Sequence, residues 1–159
     1  MRDALYFTTK GDVRVWRMDL WAQQLSVLYD GRAVAGTSLT AVDNLVGHLP
    51  SGDLFVAEDG GNMEVVLITT VGPGEVAPFL RFVGHDASEV TGIAFTPDHA
   101  RLYVTSQRGT DGAHGLTYEI SGPFRRSNRS LVDQARRPHP LNARTDASAG
   151  HRPRVVRRG

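Results

Sequence analysis

Two short stretches of the chain carry residue types that could hold a metal ion. Val42-Asp43-Asn44 precedes, by about one strand, the run Leu54-Phe55-Val56-Ala57-Glu58-Asp59-Gly60-Gly61-Asn62. In both, the oxygen-bearing side chains fall where a strand-like segment meets a turn. Oxygen donors gathered at such junctions suit a hard cation such as calcium. On the residues alone, Asp43 and Asn44 serve equally as an Asx-type turn. Glu58 and Asp59 likewise serve as strand-end charges before a Gly-Gly turn. Lys10 and Arg108 each follow a short strand motif, and cations there either contact a phosphoryl group or remain solvated surface charges. Other catalytic patterns are missing. Gly72-Pro73-Gly74 lacks the Gly-Lys-Ser/Thr ending of a P-loop, the histidines show no H-x-x-x-H pairing, and no serine has a nucleophile-elbow context. With no cysteine, thiolate metal sites and disulfides are excluded.

The elements that would position these groups come from an internal repeat. Leu5-Tyr6-Phe7-Thr8-Thr9, Leu54-Phe55-Val56-Ala57-Glu58 and Leu102-Tyr103-Val104-Thr105-Ser106 begin 49 and 48 positions apart. Each is followed by a Gly/Asp-bearing turn and a second strand-like run: Val13–Met18, Met63–Ile68 and Leu116–Ile120. Pro50 and Pro97 mark matching tight turns ahead of the two later copies. A period of about 40–50 residues with four short strands per unit is the pattern of a β-propeller blade. The middle unit predicts strands at about 41–48, 53–58, 63–69 and 76–83. The predicted fold is therefore all-β, a partial propeller of about two to three four-stranded blades, fewer than the roughly four to eight that close a ring. Trp16, Tyr6, Phe55, Tyr103 and Phe95 fall on strands and are assigned to packing between blades. Leu20–Leu28 is too short a pattern to compete as a helix.

Composition divides the chain near Phe124. Residues 1–124 hold eight Lys/Arg against fifteen Asp/Glu, whereas residues 125–159 hold ten Arg against two Asp. The second segment has few apolar residues, and the expectation is a disordered tail. It has no lysine, aromatic residue or helical periodicity, so a nucleic-acid arm is not expected. No apolar run reaches the length of a membrane span. Met1-Arg2-Asp3 leads straight into Ala4–Thr8, without a signal-peptide pattern, so the chain as written reads as cytoplasmic. That start in mid-strand carries the expectation of further sequence upstream.

Five ordered motifs resemble the C-terminal portion of the PhoX-type alkaline phosphatase family. They are Asp43-Asn44-Leu45, Pro50-Ser51-Gly52, Glu58-Asp59-Gly60, Glu89-Val90-Thr91-Gly92-Ile93-Ala94-Phe95-Thr96-Pro97-Asp98, and Gly115–Phe124 ending in Gly-Pro-Phe. The resemblance covers about residues 4–124. Ala57 stands where some members have Cys, and Val42 where many have Pro. The resemblance implies a propeller that hydrolyses phosphate monoesters with calcium and iron held by carboxylates in its central channel, in proteins that are usually exported. Carried over by position, it implies Asp43, Asn44, Glu58, Asp59 and Glu89 as metal ligands, with Glu58 and Glu89 foremost. Arg108 and Lys10 would contact the phosphate. The family's N-terminal blades supply further ligands, so this chain is expected to be incomplete alone, with missing blades provided by another chain. The alternatives are a non-catalytic propeller binding module or an inactive truncated fragment.

Overall fold

The computed structural model describes residues 3–33, 39–71, 74–126 and 155–158. Among these every regular element is a strand: β1 (Ala4–Thr9), β2 (Arg14–Asp19), β3 (Gln24–Asp30), β4 (Val42–His48), β5 (Asp53–Glu58), β6 (Glu64–Ile68), β7 (Val76–Arg81), β8 (Val90–Phe95), β9 (Arg101–Ser106), β10 (Leu116–Ser121) and β11 (Val155–Arg158). They form three antiparallel sheets. Sheet 1 runs β1-β2-β3, sheet 2 runs β4-β5-β6-β7, and sheet 3 runs β8-β9-β10-β11. None is closed on itself. No helix among the described residues is long and apolar enough to cross a membrane.

The four strands expected in the middle repeat are all present, each within two residues of its expected ends. Two strands were not foreseen. β3 lies in the stretch weighed only as a weak helix. β11 lies within the segment read as a disordered tail and pairs antiparallel with β10, Ile120 opposite Val155. Residues 127–154 of that segment lie outside the described residues.

Sheet 2 is the centre of the packing, because its strands are apolar on both faces. Leu54, Val56, Val66 and Ile68 pack with Val15, Tyr29, Leu39 and Val42 toward sheet 1. Phe55, Ala57, Met63, Val65 and Phe82 pack with Val90, Leu102, Val104 and Ile120 toward sheet 3. Each fully buried aliphatic or aromatic side chain contributes roughly 1.5–3 kcal/mol, so these two layers dominate cohesion between the sheets. Phe55, Phe95 and Tyr6 lie in or against the layers, as expected. Trp16 and Tyr103 do not. Trp16 stacks on Phe7 on the far side of sheet 1, and Tyr103 bonds Glu119 through its hydroxyl at 2.6 Å on the far side of sheet 3.

The first strands of sheets 2 and 3 share one irregularity. The register slips between Val42 and Leu45 in β4 and between Thr91 and Ala94 in β8. Gly92 takes up the β8 bulge at φ 59°, a left-handed conformation suited to glycine. Asn44, in the β4 bulge, accepts hydrogen bonds at 3.0 Å from both Thr91 Oγ1 and the Gly92 amide. The two bulges therefore interlock, and Asn44 is committed to joining sheets 2 and 3.

Candidate metal centre

Three strand ends converge on a small acidic group. Asp43 comes from the β4 bulge, Asp59 follows β5, and Glu89 precedes β8. One carboxylate oxygen from each lies within 4.8 Å of the others. Pairing across the strand ends sets this arrangement: Asp59 N donates to Ala41 O at 3.0 Å and Gln107 N to Glu89 O at 2.9 Å. The Thr8 hydroxyl donates to the Asp43 carbonyl, tying the end of β1 to the same corner.

Two cations border the group. Lys10 Nζ is 2.6 Å from Asp59 Oδ2 and 3.7 Å from Asp43 Oδ2. Arg108 Nη1 is 3.3 Å from Glu89 Oε1, and its Nε donates to Ala87 O at 2.8 Å. The three carboxylates are 16–27% exposed, whereas Lys10 is 53% exposed. Three carboxylates facing two cations leave one negative charge unmatched. The hydrogen bond between Glu89 and Asp59, aided by burial, raises the pKa of Glu89. The same bond, together with Lys10, lowers the pKa of Asp59. The Lys10 ammonium is correspondingly held up by Asp59. Two neighbouring carboxylates are thus pushed apart in acidity, and a cation between them would satisfy both.

Glu58 is placed elsewhere. Its carboxylate is fully buried and turned from the group. Oε1 accepts from Thr40 N at 2.9 Å and Thr40 Oγ1 at 2.7 Å, and Oε2 accepts from Glu64 N at 3.3 Å. Gly61 allows this turn to close: a Cβ there would lie 2.8 Å from Thr40 Oγ1 and 3.2 Å from Glu58 Oε1. Sheet 3 explains the role. Ser106, opposite Val90 as Glu58 is opposite Val42, donates to Ser88 at 2.8 Å, and Ser88 precedes Val90 by as many residues as Thr40 precedes Val42. Glu58 is the sheet 2 version of a strand-end clamp. Of the five expected ligands, the fold brings Asp43, Asp59 and Glu89 together, and places Asn44 at a bulge and Glu58 in a clamp. Lys10 and Arg108 both reach the group.

Sequence reading missed two further constellations. His85 Nδ1 lies 2.8 Å from Ser106 Oγ and its Nε2 3.1 Å from the Tyr118 hydroxyl, extending the sheet 3 clamp into β10. At the opposite end of β4, His48 is buried, with Nδ1 2.7 Å from Ser51 Oγ, and is ringed by Phe55, Phe95, Phe124 and His99. Asp53, also buried, is paired there with Arg125 Nε at 3.0 Å. The H-x-x-x-H test could not find either, since their partners come from distant strands.

No family model, curated protein or solved structure matches this chain.

Proposed function

We propose that the chain forms part of a β-propeller phosphoric monoester hydrolase and contributes to its metal centre. The observation that supports this most is the convergence of Asp43, Asp59 and Glu89 from three strand ends, with Lys10 and Arg108 beside them. The donor set is carboxylate oxygen, which suits calcium. Carboxylates also serve iron, but the trio includes no imidazole that would favour it. The close approach of Asp59 and Glu89, which raises the pKa of Glu89, marks where added positive charge would be accepted.

Asp43, Asp59 and Glu89 would hold calcium, which when bound neutralises phosphate oxygens and acidifies coordinated water. Lys10, released from Asp59, would turn its ammonium to the phosphate. Arg108, held by Ala87 O and by Gln107 Oε1 at 2.8 Å, would present a fixed guanidinium edge to a second oxygen. The meander sheets, the two interlocked bulges and the 48-residue repeat favour the propeller over other all-β stacks.

A second reading is favoured by the 2.6 Å Lys10–Asp59 contact: an ionic node that joins the three sheets and binds nothing. Hydrolysis of 4-nitrophenyl phosphate with calcium and iron supplied, then chelated, separates the two. Chelator-sensitive turnover that Asp59→Asn abolishes supports the hydrolase. An absence of both turnover and calcium binding in a folded chain leaves the ionic node.

A further inference from the structure

Residues 122–126 follow β10 outside any strand, and side chains fasten them across the end of sheet 2 remote from the acidic group. Phe124 enters a cluster of rings, its centroid 5.1 Å from Phe95, 5.8 Å from His48, 6.2 Å from Phe79 and 6.3 Å from Phe55. Arg125, the next residue, pairs with the buried Asp53 through Nε at 3.0 Å. The segment is therefore held by one apolar and one ionic contact, side by side.

A member of the same cluster changes charge near neutral pH. His48 Nδ1 is taken by Ser51 Oγ at 2.7 Å, whereas Nε2 is buried without a hydrogen bond of normal geometry. The His99 ring stands edge-on, 5.1 Å between centroids, and its Nδ1 is likewise buried and unbonded. The turn holds His99 there: its amide donates to Thr96 O at 2.8 Å, and its φ of 56° lies in the left-handed region that few side chains adopt. Asp98, in the same turn, is committed to Thr96 Oγ1 at 2.6 Å and Ala100 N at 3.0 Å. Four groups thus bear on His48. His99 and Arg125 oppose a positive charge there, while Asp53 and the His99 carbonyl favour one. Burial, followed by His99, prevails and lowers the pKa of the imidazole.

With His48 neutral, one buried carboxylate balances one guanidinium. A proton on His48 leaves two cations to that single carboxylate, inside a ring cluster. His48 and Asp53 lie on strands fixed by their ladder, β4 to β5, whereas Arg125 lies on a segment outside the sheets. Arg125 is the cation that can leave.

We propose that His48 is an acid-operated catch for residues 122–126: a proton taken from solvent by its imidazole expels Phe124 and Arg125 while the three sheets stay folded. Departure of Arg125 removes the competing cation, leaves Asp53 to the imidazolium and admits water. Phe55, Phe79 and Phe95 lose the ring that covers them, so the acid form presents an aromatic surface that the neutral form hides. The catch stands at the opposite end of β4 from the acidic group and does not depend on a metal there.

The test follows carbon-labelled phenylalanine and histidine rings of the full chain by NMR from pH 7.5 to 5, with the strand amides recorded in parallel. Below pH 6.5 the Phe124 ring is expected to move from its packed position to a solvent-exposed one. Opening takes up one proton, so its equilibrium constant should grow by up to about tenfold per pH unit. Its midpoint should coincide with the titration of His48, and the amides of β4, β5 and β9 should not change. His48→Gln is expected to keep Phe124 packed throughout. Phe124 still packed at pH 5, its release only together with loss of the strand amides, or unchanged release in His48→Gln overturns the proposal. Where His48→Gln does not fold, the native chain decides, and separate midpoints for His48 and Phe124 overturn the catch.

Discussion

β4 and β5 run side by side between two ends of opposite character. At one end Asp43 and Asp59 meet Glu89, part-exposed and sharing cations. At the other, His48 and Asp53 are buried in a box of aromatic rings, and Asp53 has its own guanidinium from Arg125. Both ends gather titratable side chains, but only the acidic end leaves them accessible and short of positive charge. At the buried end the charged pair is committed and closed from solvent, although His48 Nε2 and His99 Nδ1 have no hydrogen-bond partner there. At the acidic end partners are shared and part-exposed, so that a ligand can replace them. Glu58 obeys the same rule: although next to Asp59 in sequence, it belongs with the structural groups because Thr40 and Glu64 occupy its oxygens.

The contrast can be broken most forcibly at the buried end. Arg125→Ala leaves Asp53 charged without a partner in the interior, and a loss of about 3–5 kcal/mol is expected in denaturant unfolding. Calcium affinity in the surviving folded fraction should not change. Glu58→Ala strands the Thr40 and Glu64 amides, at a cost of roughly 1–3 kcal/mol, again without effect on calcium binding. Asp59→Asn should do the reverse. Thermal melting should move little because Lys10 is half exposed, while calcium affinity should fall tenfold or more. A large loss of stability from Asp59→Asn would make the acidic end structural too.

Acidity sharpens the contrast with smaller effects of opposite sign. Burial, reinforced by His99, lowers the pKa of His48 below its ordinary 6.5. The unfolded chain then binds the extra proton first, so this contribution to stability is present above pH 6.5 and is lost as pH falls through the lowered value. Thermal melting between pH 7.5 and 5 should show that decline, flattened in His48→Gln. Glu89 is raised above its ordinary 4.5, so its contribution is present below 4.5 and fades as pH rises through the raised value. Glu89→Gln should remove that fade.

Much of the fold was legible because strand periodicity and turn residues are local signals. The 48-residue repeat located β1, β5 and β9, and Pro50 and Pro97 fixed the turns before two of them. β3 was not legible, since Gln24–Asp30 alternates poorly and four of its seven residues are exposed. β11 was hidden by arginines that composition assigns to a solvated tail. Within the site, Asp43, Asp59, Lys10 and Arg108 were legible as charges at strand ends. What separated Glu58 from Asp59 was not: adjacent residues point to opposite sides of a strand, and only pairing with Val42 and Thr40 shows which way each turns. The roles of Asn44 and Gly92 depended on two bulges meeting across sheets, a contact 48 residues apart in sequence.

The most direct test is a calcium titration by calorimetry, in two buffers of different ionisation enthalpy, of the chain and of Asp59→Asn and Glu58→Gln. Binding that releases more protons as pH falls, weakens at least tenfold in Asp59→Asn and persists in Glu58→Gln is the expected result. Binding that survives Asp59→Asn but is lost in a folded Glu58→Gln would contradict the assignment of the metal centre to Asp43, Asp59 and Glu89.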